Sequence, residues 1–293
     1  MSTTHLAAAT LALTVAVVVL HRFAWFLWRL AARMARRASP HLRGWGELAY
    51  AHPLRAAFAR RWPRMHAVLA RRLSPHHLSG LPLTLITAAA LYVLGLFGGL
   101  IEDLLQQEGL VRLDEGINAF FGPYRIGPVV EAFLWLTAFG SSPAIVAVGV
   151  VVSGFLWAYR RSFLLAPLWI AVLGSQATTW AGKFLMGRER PQFIETASAV
   201  APSFPSGHAT AAMAVYGFLA YALARELPTS RARFELLFWT ALLIAAIGFS
   251  RIFLSLHYAS DVLAGFLVGT FWLLVGFAFA AQHAVDGRAT ETP

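Results

Sequence analysis

Long apolar runs alternate with short polar stretches over almost the whole chain. Residues 6–20 (LAAATLALTVAVVVL) are apolar and the run resumes at 23–28 (FAWFLW). At ~1.5 Å of rise per residue, a helix over 6–29 covers the ~30 Å hydrocarbon core of a bilayer. Further runs lie at 82–101, 142–159, 163–182, 208–225, 236–254 and 259–281. The pattern predicts an all-α fold, a polytopic membrane helical bundle, in which a six-span core follows one additional N-terminal span.

The polar stretches sort these spans into an organisation. Residues 1–31 read as the first span, 32–80 as a basic cytoplasmic amphipathic segment, 81–282 as the six-span domain and 283–293 as a cytoplasmic tail. Within the basic segment, Leu54, Phe58, Trp62, Met65, Leu69 and Leu73 recur at helical spacing among arginines, with a kink expected at Pro63. That pattern suits either a helix lying on anionic inner-leaflet lipids or a solvated basic loop. Residues 128–139 read as a second interfacial helix, on the outer surface.

Charge then orients the bundle. Residues 22–72 hold twelve Arg and one acid, Glu47, as expected of a cytoplasmic loop. Residues 102–131 hold six acids against Arg112 and Arg125 and belong outside. Arg160 and Arg161 mark one inner turn, and Arg225, Arg231 and Arg233 mark another. The alternation closes with the N-terminus outside and the C-terminus inside, in an inner (cytoplasmic) membrane. No positive charge precedes the first run, so it reads as an uncleaved span, not a signal peptide.

Composition narrows the chemistry. Of 293 residues, 58% are hydrophobic and 13% charged, against about 25% charged in soluble domains. A net charge of +10 would suggest a nucleic-acid partner, but its concentration in one loop beside a span points to the membrane surface and not to nucleic acid. The chain has no Cys, which excludes disulfides, thiolate metal sites and cysteine nucleophiles.

Three polar clusters fall on the outer face, where the positive-inside rule does not favour cations. The first, KFLMGRERP (183–191), carries Lys183, the only lysine in the chain, and Arg190. An ammonium and a guanidinium together suit a tetrahedral anion. The second, Pro205-Ser206-Gly207-His208, opens an apolar run and so should form a helix N-terminus. Free N–H groups and the helix dipole favour an anion there. Ser206 can cap the helix or donate to the anion, Gly207 lets the backbone approach closely, and His208 can protonate a leaving oxygen. The third is SRIFLSLHYASD (250–261). If helical, it sets His257 and Asp261 on one face, where Asp261 fixes the imidazole tautomer and leaves the other nitrogen free to attack. Arg251 adds a second guanidinium fork.

The series Lys183-x6-Arg190-Pro191, then Pro205-Ser206-Gly207-His208, then Ser250-Arg251-x5-His257-x3-Asp261 resembles the type-2 phosphatidic acid phosphatase superfamily, which also includes glucose-6-phosphatase and the vanadium haloperoxidases. All three motifs are complete and in order. The resemblance implies a phosphatase that needs no metal or other cofactor. It implies that His257 attacks phosphorus and is oriented by Asp261, that His208 protonates the departing oxygen, and that Lys183, Arg190 and Arg251 hold the phosphate with Ser206 and Gly207 assisting. Arg188 is not a motif position and reads as a headgroup contact.

A site at the outer end of a bundle receives a headgroup while the acyl or prenyl tails stay in the bilayer. A lipid phosphate or diphosphate is therefore expected over a soluble sugar phosphate: undecaprenyl diphosphate, phosphatidic acid, phosphatidylglycerol phosphate or a lipid A phosphate. Three alternatives stand beside the hydrolase. One is a phosphotransferase using the same phosphohistidine. Another is a vanadate-dependent haloperoxidase, against which the seven spans argue. The last is a transporter or scaffold, whose polar residues would lie nearer the bilayer midplane.

Overall fold

The computed structural model describes residues 3–51, 53–74, 80–106, 108–191 and 201–289. Every regular element among them is helical: α1 (Thr3–Ala51), α2 (Pro53–Arg61), α3 (Pro63–Arg72), α4 (Leu81–Gln106), α5 (Glu108–Phe121), α6 (Gly127–Ala138), α7 (Ser142–Ala158), α8 (Leu165–Met186), α9 (Gly207–Glu226), α10 (Ser230–Phe253) and α11 (Ala259–Ala289), with short 3-10 turns at Gly122–Tyr124 and Ser162–Leu164. Among the described residues, seven segments are long and apolar enough to cross a membrane, one for each apolar run in the sequence. The chain is a multi-pass membrane protein. Helices are what a bilayer demands, because each satisfies its own backbone groups where no water can.

The structure differs from the hydropathy reading in its connections. The acidic stretch after α4 is largely the helix α5. Leu110, Leu113, Ile117 and Phe120 recur along it at helical spacing. Asp114 in its middle is buried, at 1% exposure. The expected helix over 128–139 is α6, started with Pro128 in its first turn, where a missing N–H costs nothing. The turn Phe139–Ser141 separates it from α7. At Pro63 the amphipathic segment is divided into α2 and α3, with Pro63 opening the second helix. α11 continues beyond the expected span, to Ala289, and the last four residues of the tail lie outside the described residues.

The chain forms two compact units, residues 1–70 with 227–238, and residues 71–226 with 239–293. In the first, α1 is held to the first turns of α10. His21 Nε2 lies 2.8 Å from Glu235 Oε2, Trp28 Nε1 donates to Ser230 Oγ at 2.9 Å, and the Arg231 guanidinium lies 4.4 Å from the Trp25 ring centre. In the second, α11 is the hub and packs against α4, α8 and α9. Its core includes Leu168, Ala171, Ala212, Val215, Phe218 and Ile247.

Close approach at the hub comes from glycine. Gly265 and Gly269 stand four residues apart on α11 and face the start of α9. A Cβ on Gly265 would lie 2.6 Å from the Ser206 carbonyl oxygen, and one on Gly269 would lie 2.7 Å from the Thr210 carbonyl oxygen. Small residues at this spacing let membrane helices pack backbone to backbone. Here the packing sets the N-terminus of α9 directly against the first turns of α11.

Gly265→Ala should therefore cost about 1–3 kcal/mol, as overpacking does, and displace the start of α9. The expected outcome is a lower melting temperature in detergent. Gly95→Ala, whose added Cβ meets nothing within 4 Å, should leave it unchanged.

Candidate active site

Lys183 lies in the last turn of α8, buried, with Nζ donating to the Pro202 carbonyl at 2.5 Å. Gly187 then ends the helix in the left-handed conformation (φ 56°), and its N–H closes on the Lys183 carbonyl at 3.1 Å. A residue with a Cβ is disfavoured there. The αL cap turns the chain so that Arg188 and Arg190 reach back over the bundle end. Arg190 donates from Nε to the Ala201 carbonyl at 2.9 Å and from Nη1 to the Leu256 carbonyl at 2.8 Å. The same Nη1 lies 3.3 Å from His257 Nε2.

The second motif enters α9 as expected, with Gly207 as its first residue. Pro205 packs on α8, where a Cβ on Gly182 would lie 2.7 Å from its Cδ. Ser206 does not cap the helix. Its N–H donates to the Asp261 carbonyl at 2.9 Å, while its buried Oγ has no partner. A Cβ on Gly207 would meet only Thr179 Cγ2, at 3.7 Å, so protein packing does not require glycine there. His208 packs beside Gly140 and interacts electrostatically with Arg251, His257, Arg190 and Lys183.

The third motif is not one helix. α10 ends in a Schellman turn, with Leu256 N–H on the Arg251 carbonyl at 3.0 Å and Ser255 N–H on the Ile252 carbonyl at 3.0 Å. Ser255 occupies the left-handed position (φ 55°) that glycine usually takes. His257 follows in the connection, and α11 starts at Ala259. The pairing expected from helical spacing nevertheless forms, by another route. Asp261 sits in the first turn of α11 and accepts the Tyr258 N–H at 3.0 Å, as the acidic partner of a capping box does. That bond brings its Oδ2 to 3.5 Å from His257 Nδ1, an ion-pair distance that leaves Nδ1 without a hydrogen bond. Arg251, in the last turn of α10, donates from Nη1 to Thr137 Oγ1 of α6 at 2.9 Å.

Two acids and one guanidinium complete the cluster. Arg188 is no headgroup contact. Its Nη1 donates to Asp261 Oδ1 at 2.7 Å and its Nη2 to Asp114 Oδ2 at 2.8 Å, and its guanidinium lies 4.2 Å from the Tyr258 ring centre. Its place outside the motifs gave no sign of the two buried carboxylates that hold it. Asp114 and Thr137 escaped sequence reasoning altogether. An acid inside an otherwise apolar helical stripe on α5 was the one signal available for Asp114, and Thr137 had none.

The electrostatics follow from burial. His257, at 3% exposure, has its pKa lowered to about 4, chiefly because burial disfavours the cation, with Asp261 pulling the other way and Arg251 and Arg190 adding to the depression. Burial also lowers Arg190, again against the pull of Asp261. Burial opposes the charge on Arg188 too, but Asp261 and Asp114 outweigh it and hold its pKa above the ordinary value. Among the described residues, five buried side-chain polar atoms have no hydrogen-bond partner, and four of them are Ser206 Oγ, Arg251 Nε, Ser255 Oγ and His257 Nδ1. Unpaired buried donors are costly and rare. Of these four, Ser206 Oγ and Arg251 Nε belong to residues of the second and third motifs and are free to meet an oxyanion, whereas His257 Nδ1 faces Asp261.

A family model described as the PAP2 superfamily matches residues 163–284, which contain all three motifs and exclude Asp114 and Thr137. Phosphatidylglycerophosphatase B of Bacillus subtilis (strain 168) is 31% identical over 186 residues, covering 62% of this chain and 91% of that protein. The crystal structure described as the first transmembrane PAP2 type phosphatidylglycerolphosphate phosphatase from Bacillus subtilis superposes with a TM-score of 0.61 at 22% identity, over 70% of this chain and 98% of that one. That likeness concerns the fold.

An oxyanion site predicts binding of inorganic phosphate. At about ten times its Kd, phosphate should add roughly 1.4 kcal/mol and raise the melting temperature in detergent by about 3 °C. The rise should vanish in Arg251→Met, and a wild-type melting curve indifferent to phosphate would contradict the site.

Proposed function

Because this chain belongs to the PAP2 superfamily and is a membrane phosphatase of that family, we propose that it hydrolyses a lipid phosphate through a phosphohistidine on His257. The observation that carries the reading is the convergence on the His257 ring of Arg190, 3.3 Å from Nε2, and Asp261, 3.5 Å from Nδ1, with Arg251 and His208 in the same electrostatic neighbourhood and Lys183 beside Arg190, Arg251 and His208. Phosphatidylglycerol phosphate is the first substrate to test, because the relative just described is a phosphatidylglycerophosphatase. Phosphatidic acid, undecaprenyl diphosphate and lipid A phosphates follow. The six spans over 81–282 form the phosphatase unit. The site faces the exterior or periplasm from an inner membrane, with the N-terminus outside, the C-terminus inside and the basic segment on anionic inner-leaflet lipids. The charge alternation along the chain supports that orientation.

The geometry assigns the two ring nitrogens. Nδ1 faces Asp261 Oδ2, so it carries the proton, and Nε2, beside Arg190 Nη1, carries the lone pair. In the first step Nε2 forms the N–P bond as the P–O bond to the lipid breaks, and His208 gives its proton to the departing lipid oxygen. In the second, water forms a new O–P bond as N–P breaks, and its proton returns to His208. Phosphate leaves and the enzyme is restored. The cations act mainly by holding the equatorial oxygens as charge shifts between attacking and leaving atoms.

His257→Ala should lower kcat by at least about 10³-fold, as loss of a nucleophile does, with melting temperature preserved; appreciable phosphate release by the variant would refute the assignment. With His257 lowered to about 4, the attacking imidazole is neutral throughout the physiological range. Once the protonation of the substrate dianion, with a second pKa of about 6, is divided out, the rate per free enzyme, kcat/KM, should hold as pH falls from 7 to 5 and decline only as pH drops through about 4. An acid limb near 6.5, the ordinary value for histidine, would show that burial does not set this ring's basicity. Activity should survive EDTA, and orthovanadate should inhibit because its trigonal-bipyramidal form resembles the transition state.

A further inference from the structure

The motifs leave one ion network unexplained. Asp114 comes from α5 and is 1% exposed, while Asp261 comes from α11 and is fully buried. Arg188 spans the two, one nitrogen on each carboxylate. Ser260 closes the figure. Its backbone N–H donates to Asp114 Oδ1 at 3.0 Å, its hydroxyl donates to Asp114 Oδ2, and that hydroxyl accepts from Arg188 Nη1 at 2.7 Å. Arg188 and Ser260 therefore link the two buried acids in one hydrogen-bonded network, on the side of Asp261 away from His257.

We propose that Asp114 and Arg188 are positioning residues for the reaction: Arg188 holds one oxygen of Asp261, Asp114 holds Arg188, and the other oxygen of Asp261 is thereby aimed at His257. The inference rests on His257 being the nucleophile. Three features support it. Asp261 divides its oxygens, with Oδ1 on Arg188 and Oδ2 shared between the Tyr258 N–H and the His257 ring. A carboxylate held at one oxygen by Arg188 Nη1 and at the other by the Tyr258 N–H is restrained from rotating Oδ2 away from the imidazole. Arg188 alone beside Asp261 would cancel the charge that favours the imidazolium formed as Nε2 attacks. Asp114 supplies Arg188 with its own counter-ion, so that Asp261 keeps part of its charge for His257.

A scaffold that merely tied α5 to α11 would serve stability and nothing else. The two accounts part in the pH profile. His257 is faced by Asp261 from α11, Arg251 from α10, Arg190 from the loop after α8 and His208 from α9. With those groups unchanged, Asp114→Asn removes a negative charge, and Arg188→Gln removes a positive one. The first disfavours the imidazolium and the second favours it.

The experiment uses the full-length protein in detergent with phosphatidylglycerol phosphate and phosphatidic acid, measuring released phosphate, kcat, KM, the acid midpoint of kcat/KM and the melting temperature. D114N and R188Q should each lower kcat by ~10- to 100-fold, the scale expected for a misplaced reacting group, with KM changed less than about threefold. The acid midpoint should move down in D114N and up in R188Q. R188K keeps the charge, with its melting temperature as the check on its fold, but one ammonium cannot span both carboxylates as a fork does. It should lose kcat by ~10-fold or more with its midpoint near that of the wild type. Variants with wild-type kcat, or with midpoints that shift alike or only in step with the melting temperature, overturn the positioning role. If D114N does not fold, R188K decides by itself, since wild-type kcat there overturns the proposal. Failure of the underlying reading looks different: a His257→Ala variant that keeps its activity, or a wild type that releases no phosphate from either lipid, removes the nucleophile and the positioning role with it.

Discussion

Two buried carboxylates govern this molecule's active end. Taking Asp114 and Asp261 out of water is costly unless each finds a cation and hydrogen bonds. Arg188 serves both, and backbone N–H groups of Ser260 and Tyr258 serve one each. Around that partly compensated pair stand Lys183, Arg190 and Arg251. Counting Arg188, four cations face two acids, leaving a formal surplus of two positive charges. A phosphate monoester dianion carries the charge that this surplus calls for. The same constraint explains why His257 stays neutral: burial among cations disfavours a further positive charge, and Asp261 offsets this only in part.

The bilayer decides where such chemistry can be built. Inside the spans, backbone groups are used up by their own helices. At helix ends they are free, and the cluster is assembled from ends: the C-terminus of α8, the N-terminus of α9, the C-terminus of α10 and the first turn of α11. Three of these four ends are shaped by a local device. Gly187 stops α8 in the left-handed conformation, the Schellman turn at Ser255 reverses the chain after α10, and Asp261 caps the start of α11. Gly265 and Gly269 then bring α11 close enough to α9 for the Ser206 N–H to reach the Asp261 carbonyl. Loops in this arrangement contribute side chains, while packed helices hold their positions.

Much of this was legible because the bilayer imposes a strong code. Apolar runs long enough to span can only be helices, so the seven spans and the all-α class could be read from composition along the chain. The three motifs named residues that the fold does gather, since their polar groups would be too costly in lipid without a purpose. Legibility failed where local spacing stood in for geometry. His257 and Asp261 meet as expected, yet through a helix cap and a turn and not across one helix. Of the two uses open to Ser206, capping the helix or donating to an anion, the first is not taken, and its Oγ has no hydrogen-bond partner.

The sequence by itself determined the seven spans, the cationic character of one end and the motif side chains that converge there, because hydropathy and charge are local properties that each residue carries with it. Tertiary structure alone decided that Asp114 of α5 reaches Arg188, that Arg188 bridges to Asp261, that Thr137 of α6 holds Arg251, and which nitrogen of His257 faces the cations. Those contacts join residues up to 114 positions apart. They depend on how closely helices pack and how their ends turn, and no periodicity within a segment encodes the partner that another segment will bring.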